Sequence, residues 1–415
     1  MTGRWSLVAC VAICLTLPWY VLRFHLGPLP TTLLEIVILV GVTLWLAEHL
    51  IERSAIIWPS VLWRWCVLLI LLASVSSLFV APSWISALGV FRAYVVEPLL
   101  VYFMFVDVLK SADHRRVIVF SLLLSSLPLG FFALTQALVH WPNFASQELA
   151  QGRSSGLFNS ANALALYMGP VLVLSYSFLR YSDGKRVMLQ KLITFFTLAS
   201  SVASLYLSHS RGAIMGILAT ILIGGGVRFL LARIRDTKRW WRMGVVGGVV
   251  LYMVVVAAYI GVFNHPPKVA NPYTRPNFTT FTIRQCVWQG TASILHASPL
   301  WGLGMTGFAK KYPSYATCDA EPLVYPHNHL LNIWVEWGLV GVLGMFILVA
   351  VCLDQLCLDT DSEDWLRIGL SLVFIYWLGH GLIDVPYFKN DLSVFWWIVV
   401  ALCTNVSSSK LTKNL

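Results

Sequence analysis

Long apolar runs recur along the chain, and they constrain its fold more than any other feature. Each run spans about 18–25 residues, enough for a helix to cross a hydrocarbon core of about 30 Å. A backbone inside lipid must satisfy its own hydrogen bonds, so such runs predict transmembrane helices. The sequence contains twelve candidate spans, with approximate limits 6–24, 29–49, 61–81, 87–109, 116–139, 160–180, 189–208, 212–232, 243–263, 329–353, 365–386 and 391–407.

The composition agrees with a membrane protein, because 58% of the residues are hydrophobic and only 12% are charged. The 18 Trp and 15 Tyr suit the aromatic belts at membrane interfaces. We find no soluble domain and no convincing internal repeat. The sequence therefore predicts a single integral membrane domain over residues 1–415. We expect an all-α polytopic fold of about twelve transmembrane helices, with one long outer loop at 264–328, between spans nine and ten, that contains surface helices.

Lys and Arg are distributed unevenly between alternate connections. With Met1 inside, the inner segments carry 19 of these residues and the short outer connections carry five. Because Lys and Arg accumulate on the cytoplasmic side, this split predicts that both termini are cytoplasmic. The net charge of +10 thus reflects topology, and we expect no nucleic-acid partner.

Ionisable side chains collect on the predicted outer face of the membrane. A transporter would more often place its key charges near the bilayer midplane. Clustering at one water interface instead favours chemistry on a substrate anchored in the outer leaflet. The residues concerned are Arg92, Arg153, Arg211, Arg284, His327, His329, Glu336, His380, Asp384 and Lys389.

Arg211 and Arg284 are the candidate anion ligands. The guanidinium group presents a rigid fork of donors that matches phosphate oxygens and stays charged. Arg211 lies in the small polar turn 208–212, and Arg284 shares a helical face with Trp288, four residues later. Two such arginines would hold a diphosphate and stabilise a leaving phosphate. The alternatives are a lipid-headgroup anchor at Arg211 and an amphipathic surface helix around Arg284.

His329 is the candidate general base, because an unperturbed imidazole with a pKa of about 6.5 is largely neutral at pH 7. Glu336 lies seven residues later on roughly the same face, about 10 Å along the axis, so we expect no direct contact without a bend or a water. A histidine that caps an interfacial helix is the alternative. His327 and His329 have no Asp, Glu or Cys at ligand spacing, so metal binding is not expected.

Four stretches carry a family resemblance. They are 152–159 with Asn162; Ser210-Arg211-Gly212; Arg284 with Trp288, Pro299, Gly302 and Gly304; and His327-Asn328-His329 with Glu336, Gly338 and Gly341. In this order they resemble the O-antigen ligase and O-antigen polymerase superfamily of bacterial membrane glycosyltransferases, whose fold is GT-C-like. The resemblance runs from about residue 150 to 345.

The resemblance implies a donor glycan on undecaprenyl diphosphate at the periplasmic face of the bacterial inner membrane. It also implies that Arg211 and Arg284 bind the diphosphate and that His329 is catalytic. Chain length favours the ligase branch, which transfers O-antigen to the lipid A–core oligosaccharide. The alternatives are an O-antigen polymerase, a protein O-oligosaccharyltransferase and a non-enzymatic transporter of lipid-linked glycans.

The remaining candidates are assigned to substrate binding. Arg92, Arg153 and Lys389 are candidates for donor or acceptor phosphates, and His327, Asn328 and Glu336 complete the set. A single displacement would invert the anomeric carbon. We expect no cofactor and no metal, because the diphosphate is already activated and the first outer connection, residues 25–30, lacks a carboxylate. Membrane lipids are the other expected partners.

Cys286 and Cys318 both lie in the long outer loop. In an oxidising periplasm these two cysteines would be able to pair, and two unpaired loop cysteines are the alternative.

Overall fold

The computed structural model describes residues 4–27, 29–181, 188–224, 280–316, 324–356 and 364–408. Within these residues the chain is almost entirely helical, and one two-stranded antiparallel hairpin is present, formed by β1 (Arg23–Leu26) and β2 (Leu29–Thr32). The helices are α1 (Arg4–Thr16), α2 (Leu33–Glu52), α3 (Val61–Val80), α4 (Trp84–Phe91), α5 (Glu97–Val108), α6 (Ala112–Ser125), α7 (Leu127–Val139), α8 (Ser146–Ala150), α9 (Ala161–Tyr181), α10 (Met188–Ser208), α11 (Arg211–Ala219), α12 (Thr280–Ala297), α13 (Gly307–Lys311), α14 (His329–Leu356), α15 (Asp364–His380) and α16 (Asn390–Ser408).

The helices confirm an all-α polytopic membrane fold. In the described ranges, eight helical segments are long and apolar enough to cross a membrane: Arg4–Val21, Leu33–Glu52, Val61–Val80, Trp84–Val108, Ala112–Val139, Ala161–Arg180, Met188–Ser208 and His329–Leu356. Shorter apolar helices occupy Arg211–Gly224 and Asn390–Val406, and α15 covers most of the predicted span 365–386. The predicted span 243–263 and residues 225–232 of the one before it lie outside the described residues, as do 264–279 and 317–323 of the long loop.

The start of the second span differs from its predicted limit of residue 29. Residues up to Thr32 form the hairpin, and α2 begins at Leu33. The reason is a capping box: the Thr32 hydroxyl accepts a hydrogen bond from the Glu35 amide, and the Glu35 carboxylate accepts one from the Thr32 amide. These bonds satisfy backbone donors that the first turn of a helix leaves free.

Helix α14 is broken at Gly338, where φ is 68° and ψ is −173°. The loop that follows α12 uses the backbone groups freed by this break. Leu303 N donates to Val335 O over 2.7 Å, and Leu339 N donates to Leu300 O over 2.9 Å. The N-terminal half of α14, which begins at His329, is therefore held by the loop rather than by an uninterrupted helix.

The last helices bring distant segments to one end of the bundle. Helix α15 packs against α9 and α11, and α16 packs against α5 and α14. As a result, residues 208–212, 324–329 and 381–390 meet at the same end, which we call the site end. This packing brings the candidate site residues together, although the three segments are far apart in the chain.

Candidate functional site

The first turn of α14 is pinned to the turn that follows α15. The Asn328 side chain caps the helix: its Oδ1 accepts from Leu331 N over 3.0 Å, and its Nδ2 donates to Leu382 O over 2.9 Å. His329 N donates to Gly381 O over 2.7 Å. Asn328 therefore fixes where His329 stands, and both of its side-chain polar atoms are bonded to the protein.

The His329 imidazole lies in an aromatic wall. Its ring centroid is 6.4 Å from that of Phe388 and 5.9 Å from that of Trp396, and the residue is only 7% exposed. Among the residues that the structure describes, neither ring nitrogen has a hydrogen-bond partner. Buried polar atoms are usually paired, so two unpaired nitrogens on one ring are notable. Within the described residues, both ring nitrogens are therefore left without a protein partner.

His327 and Asp384 form a pair beside this histidine. His327 adopts a positive φ of 50°, and its Nδ1 lies 3.6 Å from Asp384 Oδ1. Burial alone would raise the pKa of Asp384, but the neighbouring His327 and then the charges of His380 and Arg284 hold it at about 2. Asp384 is therefore an ionised carboxylate at the site end.

Arg284 reaches the site end because α12 is fixed to the segment before His327. Trp288, one turn after Arg284, donates its indole N–H to Pro326 O over 2.9 Å. Arg284 is 8% exposed and makes no hydrogen bond or ion pair with the part of the chain described. Burial lowers its pKa, an effect that Asp384 opposes and the charge of Arg211 reinforces.

Arg211 is the first residue of α11 and is exposed. The next residue packs tightly on the end of α15: a Cβ added at Gly212 would lie 2.2 Å from His380 Nε2. This contact brings Arg211 to the site end. No described residue forms an ion pair or hydrogen bond with its guanidinium group. Within the described residues, Arg211 and Arg284 are thus two cations that form no ion pair.

Arg153 is fully engaged by the protein. Its Nε donates to Ser208 O over 3.0 Å, its Nη2 donates to Asn162 Oδ1 over 2.9 Å, and its Nη1 lies 2.7 Å from Glu148 Oε2. The guanidinium group joins the segment before α9 to the turn that carries Arg211. These contacts indicate that Arg153 positions the turn.

Arg92 is engaged in the same way. Its Nη2 lies 2.9 Å from Glu35 Oε2, and its Nε lies 3.3 Å from Glu97 Oε1. Two carboxylates therefore surround one guanidinium group, and Arg92 brings no uncompensated positive charge to the site end.

Lys389 differs from both arginines. Its Nζ lies 5.9 Å from the centroid of the Phe158 ring, and no ion pair joins it to any described residue. Burial lowers the pKa of Lys389, against the opposing charges of Asp391 and Asp384. The next residue, Asn390, donates its Nδ2–H to Glu35 Oε1 over 2.7 Å.

Glu336 supports the fold of the loop inserted at the α14 break. Its Oε2 accepts from Thr306 N over 2.6 Å and its Oε1 from Phe308 N over 3.4 Å, and the residue is buried. The carboxylate thus holds the start of α13. The expected lack of contact with His329 agrees with these bonds, because neither oxygen is directed to the imidazole.

Cys286, two residues after Arg284, is disulfide-bonded. Its predicted partner, Cys318, lies outside the described residues. In the described ranges, no group of three or more His, Cys, Asp or Glu side chains is arranged to hold a metal ion.

Comparison with known proteins shows what the chain is similar to. A family model described as O-antigen ligase matches residues 196–346. The chain carries an O-antigen ligase family domain. An O-antigen ligase of Salmonella typhimurium (strain LT2) is 22% identical over 385 residues, which cover 86% of each chain. The resemblance found in the motifs is therefore confirmed.

The O-antigen ligase match covers Arg211, Arg284 and His329. Arg153, Asp384 and Lys389 lie outside the matched range. The tertiary structure, rather than the family match, is what places these three side chains at the same end as the matched residues.

Sequence reasoning missed part of the site end. Asp384 was noted for its position but was given no role, and the aromatic wall of Phe388 and Trp396 was not anticipated. The sequence feature that points to this wall is the run 387–389, in which two aromatic residues precede a lysine. Sequence reasoning gave Glu35 no role, although its carboxylate joins α2 to Arg92 and Asn390.

Proposed function

We propose that this protein transfers a glycan from undecaprenyl diphosphate to the lipid A–core oligosaccharide. The O-antigen ligase domain and the similarity to a curated O-antigen ligase support a glycosyltransferase of this class. The finer assignments of donor, acceptor and residue roles rest on the chemistry of the site end.

One observation carries this proposal. Two arginines, Arg211 and Arg284, lie at the same end of the bundle as His329. Among the described residues neither arginine forms an ion pair, and both His329 ring nitrogens lack a hydrogen-bond partner. A diphosphate needs cationic donors, and attack by a sugar hydroxyl needs a base. The site end supplies both types of group.

The proposed reaction is a single displacement. His329 removes the proton from an acceptor hydroxyl while that oxygen forms a bond to the anomeric carbon of the donor. The bond between this carbon and the diphosphate oxygen breaks, and its electron pair leaves with undecaprenyl diphosphate. Arg211 and Arg284 stabilise the charge that develops there. Attack opposite the leaving group inverts the anomeric carbon, and neither nucleotide nor metal takes part.

Other residues of the candidate set have supporting roles in this proposal. Asp384 is ionised and lies 3.6 Å from His327, which we propose it orients, and its charge acts on Arg284. Arg92, Arg153, Asn328 and Glu336 already bind protein atoms, so we propose that they act on the substrates indirectly, by holding the site in place. The positions of these four groups follow from the ion pairs and hydrogen bonds described above.

The distribution of Lys and Arg supports a specific orientation. With both termini in the cytoplasm, the site end faces the periplasm. We propose that the protein lies in the bacterial inner membrane in this orientation. A single cysteine introduced at Ser146, in α8, tests this: it should react with a membrane-impermeant thiol reagent added to intact spheroplasts, in a variant without other accessible cysteines.

A reconstituted reaction tests the activity. Purified protein is incubated with lipid-linked O-antigen and lipid A–core in EDTA, without nucleotide, and both lipids are separated on a gel. We expect glycan on lipid A–core, and no product with the His329→Ala variant. Longer chains that stay on undecaprenyl diphosphate would instead show a polymerase. No new glycosidic bond, with substrates that a control enzyme uses, would refute the proposal.

A further inference from the structure

A second pair of cations, Arg23 and Lys389, lies at the site end. Arg23 is exposed on β1, and among the described residues it has no ion pair or hydrogen bond through its side chain. Lys389 lies against the Phe158 ring, whose centroid is 5.7 Å from that of Tyr20, three residues before Arg23. The two cations therefore flank a shared aromatic contact.

The backbone around both cations is held by one carboxylate. Arg23 is paired with Thr32 across the hairpin, and Thr32 N donates to Glu35 Oε2 over 3.1 Å. Asn390, which follows Lys389, donates to Glu35 Oε1 over 2.7 Å. Glu35 thus ties the hairpin that carries Arg23 to the start of α16, next to Lys389.

The described carboxylates near this pair form no ion pair with it, although the charges of Asp391 and Asp384 act on Lys389. The charge of Glu35 is compensated by Arg92, 2.9 Å away. Asp384 faces His327, and no ion pair joins Asp391 to Lys389 in the described ranges. Among the described residues, neither Arg23 nor Lys389 therefore forms an ion pair, as is the case for Arg211 and Arg284.

The pair Arg211 and Arg284 and the pair Arg23 and Lys389 are influenced by different neighbouring charges. The pKa of Arg284 responds to the charges of Arg211 and Arg153, whereas the pKa of Lys389 responds to Asp391 and Arg23. The charge of Asp384 acts on both Arg284 and Lys389. One diphosphate needs one such pair, so the second suits a second anion.

We propose that Arg23 and Lys389 bind a phosphate group carried by the acceptor glycan. This inference rests on the proposed function and names the chemistry of its acceptor. We assign the two cations to the acceptor rather than to the donor because of the position of Lys389. Phe388, the residue before Lys389, contacts the His329 ring. A ligand held by Lys389 lies beside the base, where the attacking hydroxyl must stand. The exposed Phe24 beside Arg23 suits a ligand anchored in lipid.

Steady-state kinetics of Arg23→Gln, Lys389→Gln and the double variant test the subsite, with phosphorylated and phosphatase-treated lipid A–core. A hydrogen bond to a charged group contributes enough that each single change should raise the acceptor KM about tenfold, with donor KM unchanged. Phosphatase treatment should raise the wild-type acceptor KM similarly, and the substitutions should then add nothing. Lys389→Arg should keep most of the affinity, and Arg64→Gln, at the other end of the bundle, is the matched control.

Each other outcome contradicts the inference. A raised donor KM would place the pair at the donor diphosphate, and equal losses with both acceptors would show a structural role. If the double variant leaves the acceptor KM unchanged, Arg23 and Lys389 are solvated cations that do not bind the acceptor.

Direct binding separates this inference from the proposed function. Lipid A–core with and without phosphate is titrated into purified protein without donor. Phosphate-dependent binding that the double variant loses would support the subsite even if no glycan is transferred. Transfer by a double variant with wild-type binding would refute the subsite and leave the proposed function standing.

Discussion

Replacing Gly338 with alanine is expected to destabilise the protein at the break in α14. The backbone at Gly338, with φ 68° and ψ −173°, lies in a region that only glycine adopts without strain, and an L residue there costs about 1–3 kcal/mol. The added Cβ would also lie 2.4 Å from Leu300 O. Because that atom is backbone, the loop must shift, and overpacking of this kind costs about 1–3 kcal/mol more.

The expected loss is therefore about 2–6 kcal/mol in the free energy of unfolding. The loop bonded at this break carries Gly302, where an added Cβ would lie 2.3 Å from Val335 O, so a shift is not easily absorbed. Movement of the loop would also disturb the His329 half of α14. We expect lower activity together with lower stability.

Unfolding in detergent and SDS, followed by tryptophan fluorescence, measures this loss. Gly344→Ala is the matched control, because Gly344 is helical in the same α14 and its added Cβ would meet Ile70 atoms at 3.4–3.5 Å, an ordinary contact. Alanine should be neutral there or stabilise by up to about 1 kcal/mol. A Gly338→Ala protein as stable as the Gly344→Ala protein would refute the reasoning.

Three further predictions concern the site end. His329→Ala should lower kcat by about 10²–10⁴-fold, because it removes the proposed general base, and should also lower thermal stability, because the buried ring packs on Phe388 and Trp396; a normal kcat in a glycan-transfer assay would exclude that role. Arg211→Lys keeps the charge but loses the planar fork, so kcat/KM for the donor should fall about tenfold or more, whereas Arg64→Lys should be neutral; equal kinetics would leave Arg211 as a point charge or an anchor. Trp288→Phe leaves Pro326 O without its donor, so thermal unfolding should show a loss of about 1 kcal/mol and the donor KM should rise; an unchanged donor KM would mean that this bond does not position Arg284.

The helices could be predicted from the sequence because the requirement is local. A span needs only enough consecutive apolar residues, and the predicted limits 61–81 and 189–208 lie within one residue of α3 and α10. The prediction was less accurate where polar contacts decide the ends. Helix α15 ends at His380 instead of residue 386, because the following turn bonds to the start of α14.

The pairing of charges could not be predicted in the same way. Arg92 and Arg211 both lie on the predicted outer face, yet two carboxylates surround Arg92 and no described residue pairs with Arg211. An ion pair depends on which residue lies opposite, and Glu35 is 57 residues from Arg92. Neither composition nor periodicity carries that information.

Glu336 shows the same limit within one helix. Its spacing from His329 indicated a shared face, but both of its oxygens accept amide hydrogens from a loop about 30 residues earlier in the chain. The sequence by itself determined the membrane class, the helices and the residue types able to bind phosphate or move a proton, because these follow from side-chain chemistry and local spacing. Only the tertiary structure decided which cations stay unpaired, where His329 stands and how Glu35 joins α2 to α16, because those properties depend on contacts between residues as many as 355 positions apart.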